Sequence, residues 1–213
     1  MKSVIIGAHL HRTDIEPEAA AIPVAGLFLS AIEVADDQPL GDRDLLLRVA
    51  SARARLLDRA TFIAIRYGFS VHTQQEAATK CVDRIDRWRE LLSAHRDEVE
   101  MTLKVAASAP ATRPDRHAFA SGGDYLRALQ RSARAVDADP SFRAAVERLL
   151  VPLAVRSRWL RETSSVELAM LVRRADLNRV RDAGEQLRSE FPAVPFLLSG
   201  PWPLEVFADD DHQ

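Results

Sequence analysis

His9 and His11 stand two residues apart, a spacing that puts both rings on one side of an extended chain, as the start of a metal site would. His72, His95, His117 and His212 add no helical His-x-x-x-His and no Cys/His spacing to complete such a site. The pair therefore reads as polar residues at a strand end. Cys81, the one cysteine, has no partner for an internal disulfide and falls on an apolar helical stripe, the position of a buried, reduced thiol. His72 and His117 have acids nearby and are the residues an acid–base enzyme would use. His72, however, shares its turn with Thr73, which with Glu76 has the spacing of a helix-capping box, so a turn role fits better. Ser121-Gly-Gly-Asp124 has a glycine pair but not the further glycines and lysine of a phosphate loop, and reads as a helix start. The chain has no Gly-x-Ser-x-Gly elbow and no dinucleotide fingerprint. No reaction centre emerges, and no cofactor or metal is expected.

The bulk properties point the same way. A formal charge of −2 gives no overall pull toward nucleic acid or anionic lipid. Arg far outnumbers Lys, as it does in many Ala-rich chains, and is not read as a nucleic-acid signature. Residues 104–134 hold six basic and two acidic side chains, yet no interleaved aromatics support base stacking, so this is read as a solvated face. With 47% apolar and 28% charged residues the balance is that of a globular protein. The apolar run at residues 4–6 is too short for a signal peptide, and nothing later approaches a membrane span, so a cytoplasmic location is expected.

The elements that must position these residues are organised around residues 61–105. Phe62-Ile-Ala-Ile65 reads as a buried strand, ended by Tyr67-Gly68. Ala78, Cys81, Ile85, Trp88, Leu92, His95 and Val99 then recur at steps of three and four, the stripe of a long helix, before residues 100–105 return as a strand. Ahead of this lie strands at 2–10 and 24–34 and a helix capped by Asp42 or Asp44, with 13–22 as a loop. The result is an α+β chain whose N-terminal domain, residues 1–106, is a modified ferredoxin-like two-layer unit with both helices on one sheet face. Small residues, Pro110 and Pro114 mark the boundary. In the C-terminal domain, residues 107–213, helices begin at Ser121 and at Asp139-Pro140, and Pro152 interrupts an apolar face that Val155 and Trp159 continue. Residues 161–164 make a turn, and a strand at 165–172, a helix capped by Asp176 and a strand at 195–199 close the chain.

The tail Pro195-Phe-Leu-Leu-Ser-Gly-Pro-Trp-Pro203 resembles the C-terminal signature of the gas vesicle proteins GvpF and GvpL. Phe62-Ile-Ala-Ile-Arg-Tyr-Gly68 is similar to that family's Leu-Pro-Val-Arg-Phe-Gly segment, and Val99-Glu-Met-Thr-Leu-Lys-Val105 to its Val-Glu strand. Gly123-Asp-Tyr-Leu126 matches its Gly-x-Tyr-Leu helix start. The resemblance spans residues 24–202. It implies a non-enzymatic accessory protein without a cofactor, working with the small apolar gas vesicle shell protein and other gas vesicle accessory proteins, and not with nucleic acid or a lipid membrane. The motif residues Arg66, Tyr67, Gly68, Tyr125, Leu126, Gly200, Pro201, Trp202 and Pro203 are the interaction candidates it supplies. For Trp202, between two prolines, a ring packed over the C-terminal domain's own sheet fits better than a partner anchor. A small-molecule-sensing regulatory module is the competing reading, because ferredoxin-like sheets often hold ligands.

Overall fold

The structure, a computed structural model, describes residues 1–15, 17–106, 115–134, 138–161 and 165–207. In chain order its elements are β1 (Lys2–His9), β2 (Ala20–Val24), β3 (Leu27–Val34), α1 (Arg43–Arg59), β4 (Ile63–Ala64), β5 (Ser70–Val71), α2 (Gln74–Ala94), β6 (Glu98–Ala106), α3 (Gly122–Arg134), α4 (Pro140–Leu149), β7 (Arg156–Arg161), β8 (Ser165–Arg173), α5 (Leu177–Glu190) and β9 (Phe196–Trp202). They form two sheets and two compact units, the first made of Met1–Val99 with Pro201–Gln213, the second of Glu100–Gly200. This differs from the expected division after residue 106 in one consequential way: the chain after Gly200 belongs to the first unit.

In the first unit β1 lies inside the sheet, in the order β2-β3-β1-β4, and β5 pairs with β1 as well. Val4, Ile5 and Ile6 are fully buried, as a continuous apolar run requires. β3 runs antiparallel to β1 with Val4 opposite Ile32, and the register shifts between Ile5 and Gly7. Residues 24–34, expected as one strand, are divided by a tight turn. Ala25 (φ 45°) and Gly26 (φ 84°) both take left-handed backbone, the pattern of a two-residue hairpin, and β2 and β3 are its arms. The strand at residues 100–105 was expected in this sheet but lies, as β6, in the other one.

The two helices of this unit start as their cap residues dictate. The Asp42 carboxylate accepts the Leu45 amide at 2.9 Å, and α1 buries Leu45, Val49, Ala52, Leu56 and Leu57. At α2 the Thr73 hydroxyl accepts the Glu76 amide at 3.1 Å, while the Glu76 carboxylate accepts the His72 amide at 2.7 Å. That is a capping box whose return bond lands one residue early. This bond, together with Lys80 at 2.7 Å, pulls the Glu76 carboxyl down to about 2. Cys81 is buried on the inner face with Ile85, Trp88 and Leu92.

The second unit has a sheet of order β7-β8-β6-β9. β6 and β8 contribute Met101, Leu103, Val105, Val166, Leu168, Met170 and Val172 to its core, against Phe142 and Val146 of α4 and Val180 and Leu187 of α5. Phe142 meets Phe191 edge-on with ring centres 5.4 Å apart. Asp139 caps α4 through the amides of Ser141 and Phe142, and Val151–Leu153 is a 3-10 turn where Pro152 stops the helix. Two expectations are corrected here. Residues 156–161 are not a helical continuation but the strand β7, antiparallel to β8 with Trp159 opposite Leu168. Asp176 makes no cap hydrogen bond and instead pairs with Arg179 at 2.8 Å, α5 being led in by the 3-10 turn Arg174–Asp176. Residues 107–114 and 162–164, where a linker and a turn were expected, lie outside the described residues, as does Val136 on the expected face of α3.

Candidate functional site: an open cleft in the first unit

Residues Ala50, Arg53, Ala54 and Leu57 of α1 follow the i, i+3, i+4, i+7 spacing of a single helix face. On α2, Asp83 and Arg87, and beside them Arg84 and Trp88, are i, i+4 pairs one turn apart. Between them run β4 and the segment after it, residues 63–67, and beside β4 lies the tail, residues 201–205. These four pieces enclose a cleft of about 1140 Å³, all of it within the first unit.

Backbone bonds fix the tail in place. The Leu204 amide donates to the Phe62 carbonyl at 2.9 Å, Ile63 and Leu204 form a parallel bridge, and Leu204 and Phe207 are buried. Gly200 lies within β9, directly before this tail. Its φ is +121°, and a Cβ there would stand 2.6 Å from the Met101 sulfur and 2.9 Å from the Glu100 carbonyl oxygen. Arg53 holds the opposite wall: its Nε donates to the Ile6 carbonyl at 3.1 Å and its Nη2 to the Ile65 carbonyl. Burial lowers the Arg53 pKa, and the nearby Glu205 carboxylate opposes the shift. The Tyr67 hydroxyl donates to the Leu40 carbonyl, and Gly68 (φ +95°) closes the turn behind it.

Two motifs far apart in the chain thus meet. Arg66 and Tyr67 from one, and Pro201, Trp202 and Pro203 from the other, all line the cleft. Gly68 and Gly200 shape the backbone next to it. Tyr125 and Leu126 do not line it: Tyr125 sits against Phe119 with ring centres 5.9 Å apart, and Leu126 is exposed on α3. Trp202 borders the cleft and is 47% exposed. Sequence reasoning missed Ala50, Arg53, Ala54, Arg84, Arg87 and Trp88 as site residues. In the sequence Trp88 is only a member of an apolar helical stripe, and the arginines carry no local signal of a shared site. Only the tail, folding back between the helices, gives these residues a common cavity.

The lining has no His, Cys, Ser, Thr or Lys; eleven of its eighteen residues are aliphatic, proline or tryptophan, and six are charged. The histidine pair forms no metal site. His9 is fully buried with Nδ1 2.6 Å from the His11 carbonyl and Nε2 2.9 Å from the Ser30 hydroxyl, so both its ring nitrogens are occupied. His72 is exposed, 3.3 Å from Asp36 and 3.6 Å from Glu76. Among the described residues no group of three His, Cys, Asp or Glu could hold a metal ion, and no helix is long and apolar enough to cross a membrane.

The fold is similar over nearly its whole length to two crystal structures. Gas vesicle protein GvpF from Microcystis aeruginosa matches with a TM-score of 0.72 at 11% identity, covering 97% of this chain and 98% of that one. Gas vesicle protein GvpF from Anabaena sp. PCC7120 matches with a TM-score of 0.68 at 14% identity, covering 99% of each chain. No curated protein sequence matches this chain. The sequence profile of the family described as gas vesicle synthesis protein GvpL/GvpF matches residues 15–208. A match over that span, on a two-sheet α+β fold shared with two GvpF structures, makes this chain a member of the GvpL/GvpF family of gas vesicle formation.

Proposed function

We propose that this chain assists assembly of the gas vesicle wall by holding an apolar segment of the small shell protein in the cleft of the first unit, without converting a substrate. One observation carries the reading: the two family motifs converge on a single cavity with an apolar floor and a half-exposed tryptophan at its edge. A shell subunit that must bury an apolar surface in the wall needs that surface covered beforehand, and a groove between helices can do so. Tryptophan beside prolines suits such an anchor, because it offers a large rigid contact area with little conformational freedom to lose.

At about 1140 Å³ the cleft is larger than most small-ligand sites, which run from about 300 to 1,000 Å³. That size favours a polypeptide segment over a sensed metabolite. The reading needs no cofactor, nucleic acid or lipid membrane, and places the protein with the forming gas vesicle in the cytoplasm.

Co-expression with the shell protein tests it. The wild-type chain should raise the soluble fraction of the shell protein and co-purify with it. Ala54→Trp, which fills the cleft from an exposed helix position, and Trp202→Ala should each cut the recovered complex several-fold. Neither should move the melting temperature by more than about 3 °C, since both sites are solvent-facing. Undiminished co-purification by both variants would contradict the proposal.

A further inference from the structure

The charges around the cleft specify more about its occupant, given that the cleft is a binding groove. Four arginines and two acids line it: Arg53, Arg66, Arg84 and Arg87 against Asp83 and Glu205. In the unit as a whole acidic side chains outnumber basic ones, so this cationic excess is local to the cleft. Arg53 is committed to the Ile6 and Ile65 carbonyls and feels the Glu205 carboxylate. Arg66 and Arg84 are exposed, and neither forms an ion pair among the described residues.

An apolar segment with no charge of its own would gain nothing from these two guanidiniums, and on docking would strip water from them without compensation. A carboxylate at the edge of the segment would instead meet a planar, permanently charged fork at the rim of a low-dielectric floor, where two-point hydrogen bonding is strongest. Ala50 and Ala54, small and exposed on α1, leave room for a helix backbone to approach. We infer that the cleft selects an amphipathic helix with an apolar face flanked by acidic side chains, and that Arg66 and Arg84 are its specificity-determining residues.

Two synthetic peptides of about 18 residues, or five helical turns, test this with the full-length chain. Both carry the same leucine face; one has Glu and the other Lys at the flanking positions. The wild type should bind the Glu peptide about tenfold more tightly, with an affinity that falls as salt rises. In the double variant Arg66→Ala, Arg84→Ala the Glu peptide should weaken to the level of the Lys peptide, with the melting temperature unchanged. Equal binding of the two peptides by the wild type, or a preference that survives in the double variant, would overturn the inference. Equal binding that Ala54→Trp still blocks would do so while leaving the cleft as the binding groove. Failure of the wild type to bind either peptide would overturn both.

Discussion

His9 shows how a residue suited to chemistry is used for structure. Its Nδ1 faces the His11 carbonyl, which can only accept, so that nitrogen carries the proton and Nε2 accepts from the Ser30 hydroxyl. Burial is the main cause lowering its pKa below 6.5, with the backbone bond and Asp14 pulling the other way. The unfolded chain therefore takes up this proton first as pH falls. The His9 contribution is complete above about pH 6.5 and diminishes below it. Denaturant unfolding between pH 7.5 and about 5 should show a decline in stability that His9→Gln flattens; an unchanged slope in that variant would contradict the assignment. Glu76 acts at lower pH and with the opposite charge. Its carboxyl is depressed from 4.5 to about 2 by the His72 amide and then Lys80, so its contribution is present above about 4.5 and lost as pH falls toward about 2.

Elements were legible where their signal is local. Thr73 with Glu76, Asp42 and Asp139 marked helix starts because a cap needs only a side chain and the amides two or three residues on. The hairpin of β2 and β3 escaped, since its turn is Ala25-Gly26 and not the Asn-Gly pair that left-handed backbone favours. Ala25 is held there with its carbonyl accepting from Arg89 at 2.7 Å. Ala25→Asn should therefore raise stability by about 0.5–1 kcal/mol, seen as a higher denaturation midpoint; a lower one would show that the turn is not strained. β7 escaped because Arg156 and Arg158 give no apolar alternation; its pairing with β8 defines it. At Gly200, where a Cβ has no room and the backbone is left-handed, Gly200→Ala should cost about 2–4 kcal/mol. Thermal unfolding matching the wild type would refute that geometry.

At the scale of the molecule, the fold class and the motif residues could be read from the chain, but the cleft could not. Its formation depends on Leu204 finding the Phe62 carbonyl, a pairing between residues far apart in sequence that no local pattern encodes. The arginines of α2 have the spacing of any solvated helix face, and the tail makes them part of a wall. Ending the chain after Gly200 would remove Leu204 and Phe207 from the first unit's core, and should lower its stability by about 3–6 kcal/mol. Full retention of the melting temperature would mean that the tail is not part of that unit. Photo-crosslinking in cells making the shell protein tests whether the cleft holds it, with benzoylphenylalanine placed at position 50 or 202 in the cleft, or at the exposed Leu197 in the second unit. Adducts with the shell protein should form from positions 50 and 202 and not from 197; adducts from 197 with none from the cleft would show that the shell protein docks elsewhere.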